Sequence, residues 1–70
     1  MARRYFAEWS NVNEESENYE EYDRVAFPTF AEAKEWLGDK LDSPEYDCAV
    51  FTEDEKHPGY FKVVLRGWLP

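Results

Sequence analysis

One helix start is written into the middle of the chain. Thr29-Phe30-Ala31-Glu32 has the form of a capping box, with a hydroxyl residue at the N-cap and a glutamate three residues on. Pro28 stands just before it, where a missing amide donor does the helix no harm. Phe30, Ala33, Leu37 and Leu41 then follow at i, i+3, i+7 and i+11, with Trp36 flanking the stripe. Glu32, Glu35, Asp39 and Lys40 take the wetter side. The spacing predicts a single amphipathic helix of about three turns that packs one face on a sheet. Gly38 either ends it early or sits inside it at a cost of ~1 kcal/mol. Asp42-Ser43-Pro44 is the stop.

The segments on either side alternate at period two, as half-buried strands do. In residues 4–10, Tyr5, Ala7 and Trp9 share one face and Phe6 and Glu8 the other. In 19–27, Tyr19, Val25 and Phe27 oppose Tyr22 and Arg24, with a weak start at Glu20-Glu21 because carboxylates are depleted from strands. In 46–52, Cys48 and Val50 oppose Ala49 and Phe51. In 60–68 the alternation is most regular, with Phe61, Val63 and Leu65 against Tyr60, Lys62, Val64 and Arg66. Polar segments at 11–18 and 53–59 read as the two connecting loops. The expected fold class is α+β: a small two-layer β-β-α-β-β domain spanning residues 1–70, with an antiparallel four-stranded sheet and the helix on one of its faces.

Composition decides between a folded domain and an acidic tail. Hydrophobic residues make up 43% of the chain and aromatics 19%, enough rings to build a core without metal or disulfide. Sixteen Asp and Glu against eight Lys and Arg leave a formal net charge of -8 at pH 7, which argues against direct binding of nucleic-acid phosphates. There is no run of 18 apolar residues to span a membrane, and Met1-Ala2-Arg3-Arg4-Tyr5 lacks the apolar core of an export signal. Cys48 is the only cysteine, so a cytoplasmic location is expected.

No catalytic constellation stands out in the sequence. His57 is the only histidine and lies in a Pro-Gly loop beside Glu53, Asp54 and Glu55, without a recognised metal-ligand spacing. Cys48 reads as a small buried hydrophobe. Gly38, Gly59 and Gly67 form no phosphate-binding loop. The expectation is therefore a protein that is not an enzyme and holds no cofactor and no metal.

The acidic run is the strongest functional lead. Glu14, Glu15, Glu17, Glu20, Glu21 and Asp23 place six carboxylates within ten residues, with Tyr19 and Tyr22 interleaved. Extended, such a run covers roughly 33 Å at ~3.3 Å per residue. That is about one charge per 5–6 Å, within a factor of two of the ~3.4 Å spacing along one DNA strand. Alternate residues would project from one side and could enter a groove that normally holds phosphates. Tyr supplies grip at binding hot spots, while carboxylates steer a basic partner in. A further apolar terminus, Trp68-Leu69-Pro70, together with Tyr60 and Val64 on the last strand, offers a self-association contact and hence a homodimer.

In size, charge and aromatic content the chain resembles the small acidic inhibitors that phages use against host defence, including anti-restriction and anti-CRISPR proteins, several of which are DNA mimics. That resemblance implies a non-enzymatic inhibitor whose acidic, Tyr-containing surface meets a basic, nucleic-acid-binding protein. Thr29-Phe30-Ala31-Glu32-Ala33 is also similar to the "T-x-x-E-A" helix start of HicB-type antitoxins, with Phe27-Pro28 where those carry a Gly-rich turn. It implies the alternative of an antitoxin-like or structural homo-oligomeric subunit. General acidity from a high-salt cytoplasm is the third reading.

Overall fold

The computed structural model describes residues 4–67. Four strands, β1 (Tyr5–Asn11), β2 (Tyr22–Phe27), β3 (Tyr46–Glu53) and β4 (Phe61–Gly67), form one antiparallel sheet in the order β2-β1-β3-β4. The helix α1 (Phe30–Leu37) and a 3-10 turn over Gly38–Asp42 cover one face, which gives the α+β two-layer architecture.

α1 begins as its residues dictate. Thr29 is extended, its hydroxyl oxygen accepts the Glu32 amide N–H at 3.2 Å, and the hydroxyl donates to the Glu32 carboxylate at 3.0 Å. Gly38 ends the helix with φ +52 and ψ -129, a conformation that favours glycine, and its N–H still reaches the Lys34 carbonyl. The helix therefore has eight residues, and Leu41 reaches the core from the following turn.

The buried core is small: Ala7, Ala33, Leu37, Cys48 and Val50. Ala7 and Ala33 carry only methyl groups, which lets α1 approach β1 closely. Large rings then close the margin. Tyr5 meets Phe30 edge-on at 6.1 Å, Trp9 meets Tyr46 edge-on at 5.5 Å, and Phe27 lies 5.8 Å from Trp36. Lys40 places its ammonium over Trp9 and Tyr46, at 4.9 and 5.1 Å from the ring centroids. Thr52 is fully buried, and its hydroxyl donates to the Arg4 carbonyl at 2.7 Å.

The second and fourth strands depart from simple alternation. β2 begins at Tyr22 rather than Tyr19, because Glu20 takes a left-handed φ of +72 and turns the chain. The Asn11 N–H then bonds the Glu21 carbonyl at 2.8 Å, and the Glu20 N–H bonds the Asn11 carbonyl at 3.0 Å. Tyr19 is thus in the loop and does not share a strand face with Val25 and Phe27. In β4, Leu65 pairs with Val50 but Val63 pairs with Phe51, so Val64 is an extra residue with no partner of its own in the register. This bulge separates residues that strict alternation would keep together: Leu65 packs on the core, while Phe61 and Val63 join the opposite face. The terminal contact expected at Trp68 to Pro70 lies outside the described residues.

Candidate functional site

The acidic run does not extend. From Glu14 to Glu20 the chain makes successive turns, with Ser16 N–H to the Asn13 carbonyl at 3.0 Å, Tyr19 N–H to Ser16 at 3.2 Å and Glu21 N–H to Asn18 at 3.1 Å. Side chains of polar residues stabilise those turns. Asn11, only 2% exposed, accepts from the Asn13 N–H and donates to the Ser16 hydroxyl, and Asn13 donates to the Glu45 carboxylate at 2.8 Å. The Val12 N–H bonds the Glu45 carbonyl at 2.7 Å, which ties the loop to the start of β3. The phosphate-like linear spacing expected of an extended run is therefore absent. What exists is a compact acidic cap at one end of the sheet.

Glu14, Glu15, Glu17, Glu20 and Glu21 are all exposed on this cap, with Tyr19 among them, and none has a cation partner among the described residues. The two remaining residues of the expected site diverge, since neighbours on a strand point to opposite faces. Asp23 lies opposite Trp9, on the helix side, and its carboxylate accepts the Arg24 N–H at 2.8 Å. Tyr22 lies opposite Ser10 on the uncovered side and is 74% exposed.

That uncovered face has a chemistry of its own. Phe6 stacks on Phe51 at 5.6 Å, and Phe61 meets both edge-on at 5.6 and 5.7 Å. Arg4 lies over Phe6 and Arg24 over Phe51, at 5.4 and 5.1 Å. Arg24 also bonds the Glu8 carboxylate at 3.0 Å. Beside these rings, where Ser10 and Ala49 carry small side chains, the face sinks into a hollow of about 340 Å³ that Glu8, Tyr22, Phe51 and Arg66 also line. The placement of Phe6 opposite Tyr5, Ala7 and Trp9, and of Phe51 opposite Cys48 and Val50, was visible in the sequence. Their meeting depends on the β1–β3 register, and the presence of Phe61 and Val63 depends on the bulge.

The remaining reactive side chains are engaged in structure. His57 pairs with Asp54 through Nδ1 at 3.2 Å in the β3–β4 loop, and the Lys56 amide, more than His57, holds the Asp54 carboxyl below its usual range. Cys48 is buried, and its thiol donates to the Lys40 carbonyl at 3.3 Å. Burial, helped by the Asp47 charge, pushes the thiol pKa up, so little thiolate forms. A disulfide reagent at pH 8 should modify the folded chain at least ~10-fold more slowly than the urea-unfolded chain. Equal rates would mean that Cys48 reaches solvent freely.

Comparison with protein-family profiles, with curated proteins and with solved structures finds no match. No helix among the described residues is long and apolar enough to cross a membrane.

Proposed function

We propose that this chain is a non-enzymatic binding protein, an inhibitor that presents its acidic, Tyr-bearing cap to a basic protein surface of the kind that holds nucleic-acid phosphates. The observation that carries the reading is the state of the cap: five exposed carboxylates, without a cation partner among the described residues, on a loop tied by main-chain bonds to β1 and to the start of β3. Like charges on one short loop repel, a cost to folding that a cationic partner would relieve. Holding them in fixed turns lowers the ordering cost of binding. Tyr19, 42% exposed, gives the same loop an apolar contact. A compact cap suits a basic socket rather than a long groove.

The test is charge reversal. Glu17→Lys, Glu20→Lys and Glu21→Lys together should weaken binding to a basic nucleic-acid-binding effector by at least ~100-fold near 0.1 M salt, with the circular dichroism unchanged. Duplex DNA should compete with the wild-type chain, and salt should weaken its binding as exposed charges are screened over ~8–10 Å. Unchanged affinity in the triple variant would overturn the reading.

A further inference from the structure

We infer that the hollow on the uncovered face of the sheet takes the indole of Trp68, the residue that follows β4, so that the chain covers its own sheet there. The inference concerns a different surface from the acidic cap and does not rest on that reading. Its first support is the ladder. Gly67 pairs with Cys48, the last pair of the β3–β4 register. A Cβ on Gly67 would meet Leu41, so this position faces the helix layer. Successive residues of a strand point to opposite faces, so one further residue in the same ladder projects onto the uncovered face. That residue is Trp68, which the register sets opposite Asp47 and beyond Arg66. Directly opposite Cβ atoms lie ~4.5–5.5 Å apart, so the ring starts at the edge of the hollow. The tether has no intervening residue, and short tethers give effective concentrations in the millimolar range, which a free competitor would have to exceed.

The second support is shape. Ala49 and Ser10, with their small side chains, form the floor of the hollow, and Tyr22, Asp47, Phe51 and Arg66 stand around it. Tyr22, Ser10 and Asp47 are neighbours in one row across β2, β1 and β3, and the position opposite Asp47 completes that row on β4. The hollow measures about 340 Å³, near the lower end of the ~300–1,000 Å³ of pockets that hold small organic molecules. That size suits one bicyclic ring rather than a segment of a partner chain.

The third support is chemistry. An indole is apolar except for one N–H donor, which needs an acceptor once covered. The Asp47 carboxylate and the Ser10 hydroxyl both lie at the hollow, and neither has a hydrogen-bond or ion-pair partner among the described residues. The Arg66 guanidinium has none either, and Trp is the ring that attracts such a cation most strongly to its face.

In the full chain, nuclear Overhauser spectra should show the Trp68 ring protons in contact with the Ala49 methyl group of the same chain. Trp68→Ala should lower the melting temperature by at least ~4 °C and move the amide shifts of Ser10, Asp47 and Ala49. Ala49→Leu raises the floor and should displace the ring, so that Trp68→Ala made in that background costs less than about half as much. This double-mutant cycle separates a ring seated in the hollow from one that stabilises the fold elsewhere. A Trp68 ring without contact to Ala49 overturns the inference, as do equal losses in the two backgrounds. Contact seen only between differently labelled chains overturns it too, and makes the occupant a second copy. If Ala49→Leu fails to fold, the contacts of the wild-type chain decide.

Discussion

Leu37→Ala should remove about 2–5 kcal/mol of folding free energy, close to everything a domain of this size holds. Leu37 is 1% exposed and is the largest fully buried side chain. It is one of two buried residues on α1, and the other, Ala33, offers only a methyl group. The other anchors of the helix, Phe30 and Trp36, are only partly buried at its margin and do not fill the space that Leu37 leaves. The lining cannot collapse to refill the space, because β1 and β3 are fixed by their ladders on both sides. Urea titration followed by tryptophan fluorescence should show the variant mostly unfolded without denaturant at 37 °C. A loss below ~1 kcal/mol would mean that the surrounding rings move in and that the core is not the jigsaw described.

Gly67→Ala should cost about 1–3 kcal/mol by the opposite route, overpacking. A Cβ at Gly67 would lie 2.8 Å from Leu41 Cδ2, 3.1 Å from the Leu41 carbonyl oxygen and 3.2 Å from Leu41 Cα. The side-chain carbon can swing aside, but the two backbone atoms cannot without moving the 3-10 turn. That turn is held in place by Leu41 on the core and by the Cys48 thiol on the Lys40 carbonyl. For a domain this small, ~1 kcal/mol corresponds to roughly 4–8 °C in melting temperature, so the change is readily measured by thermal unfolding. An unchanged melting temperature would show that the turn yields freely.

Much of the fold was legible because local chemistry and global packing agree. Thr29, Glu32 and the Phe30–Ala33–Leu37 stripe fix where the helix starts and which face it buries. Tyr5, Ala7 and Trp9 share one face, as do Cys48 and Val50, as alternation requires, and the structure turns both faces to the core. The failures share one cause, since each rests on backbone geometry that leaves no periodic trace. Glu20 adopts a left-handed φ without being glycine or asparagine, so its identity marks a weak strand start but not the turn that shortens β2. The bulge at Val64 interrupts the most regular alternation in the chain and reverses the faces of Phe61 and Val63 relative to Leu65.

The candidate site was legible in membership and not in shape. Its carboxylates are exposed, as six acids in ten residues must be, but Asn11, Asn13 and Ser16 fold them into turns that an extended reading does not foresee. The aromatic face was hidden for a different reason. Phe6, Phe51 and Phe61 are far apart in sequence, and only the strand order brings them together.

That strand order also bears on how the chain reaches its native state. β1–β2 and β3–β4 are hairpins whose partners are close in sequence, so each can close cheaply. The central β1–β3 ladder joins one hairpin to the other across the helix, and its partners are the most distant in the sheet. Chain-closure entropy must be met there before the core rewards it, so the slow step of folding is expected at the docking of the two hairpins. Substitutions in the β1–β3 seam, such as at Ala7 or Val50, should then slow folding, whereas those at the rims of β2 and β4 should mainly speed unfolding.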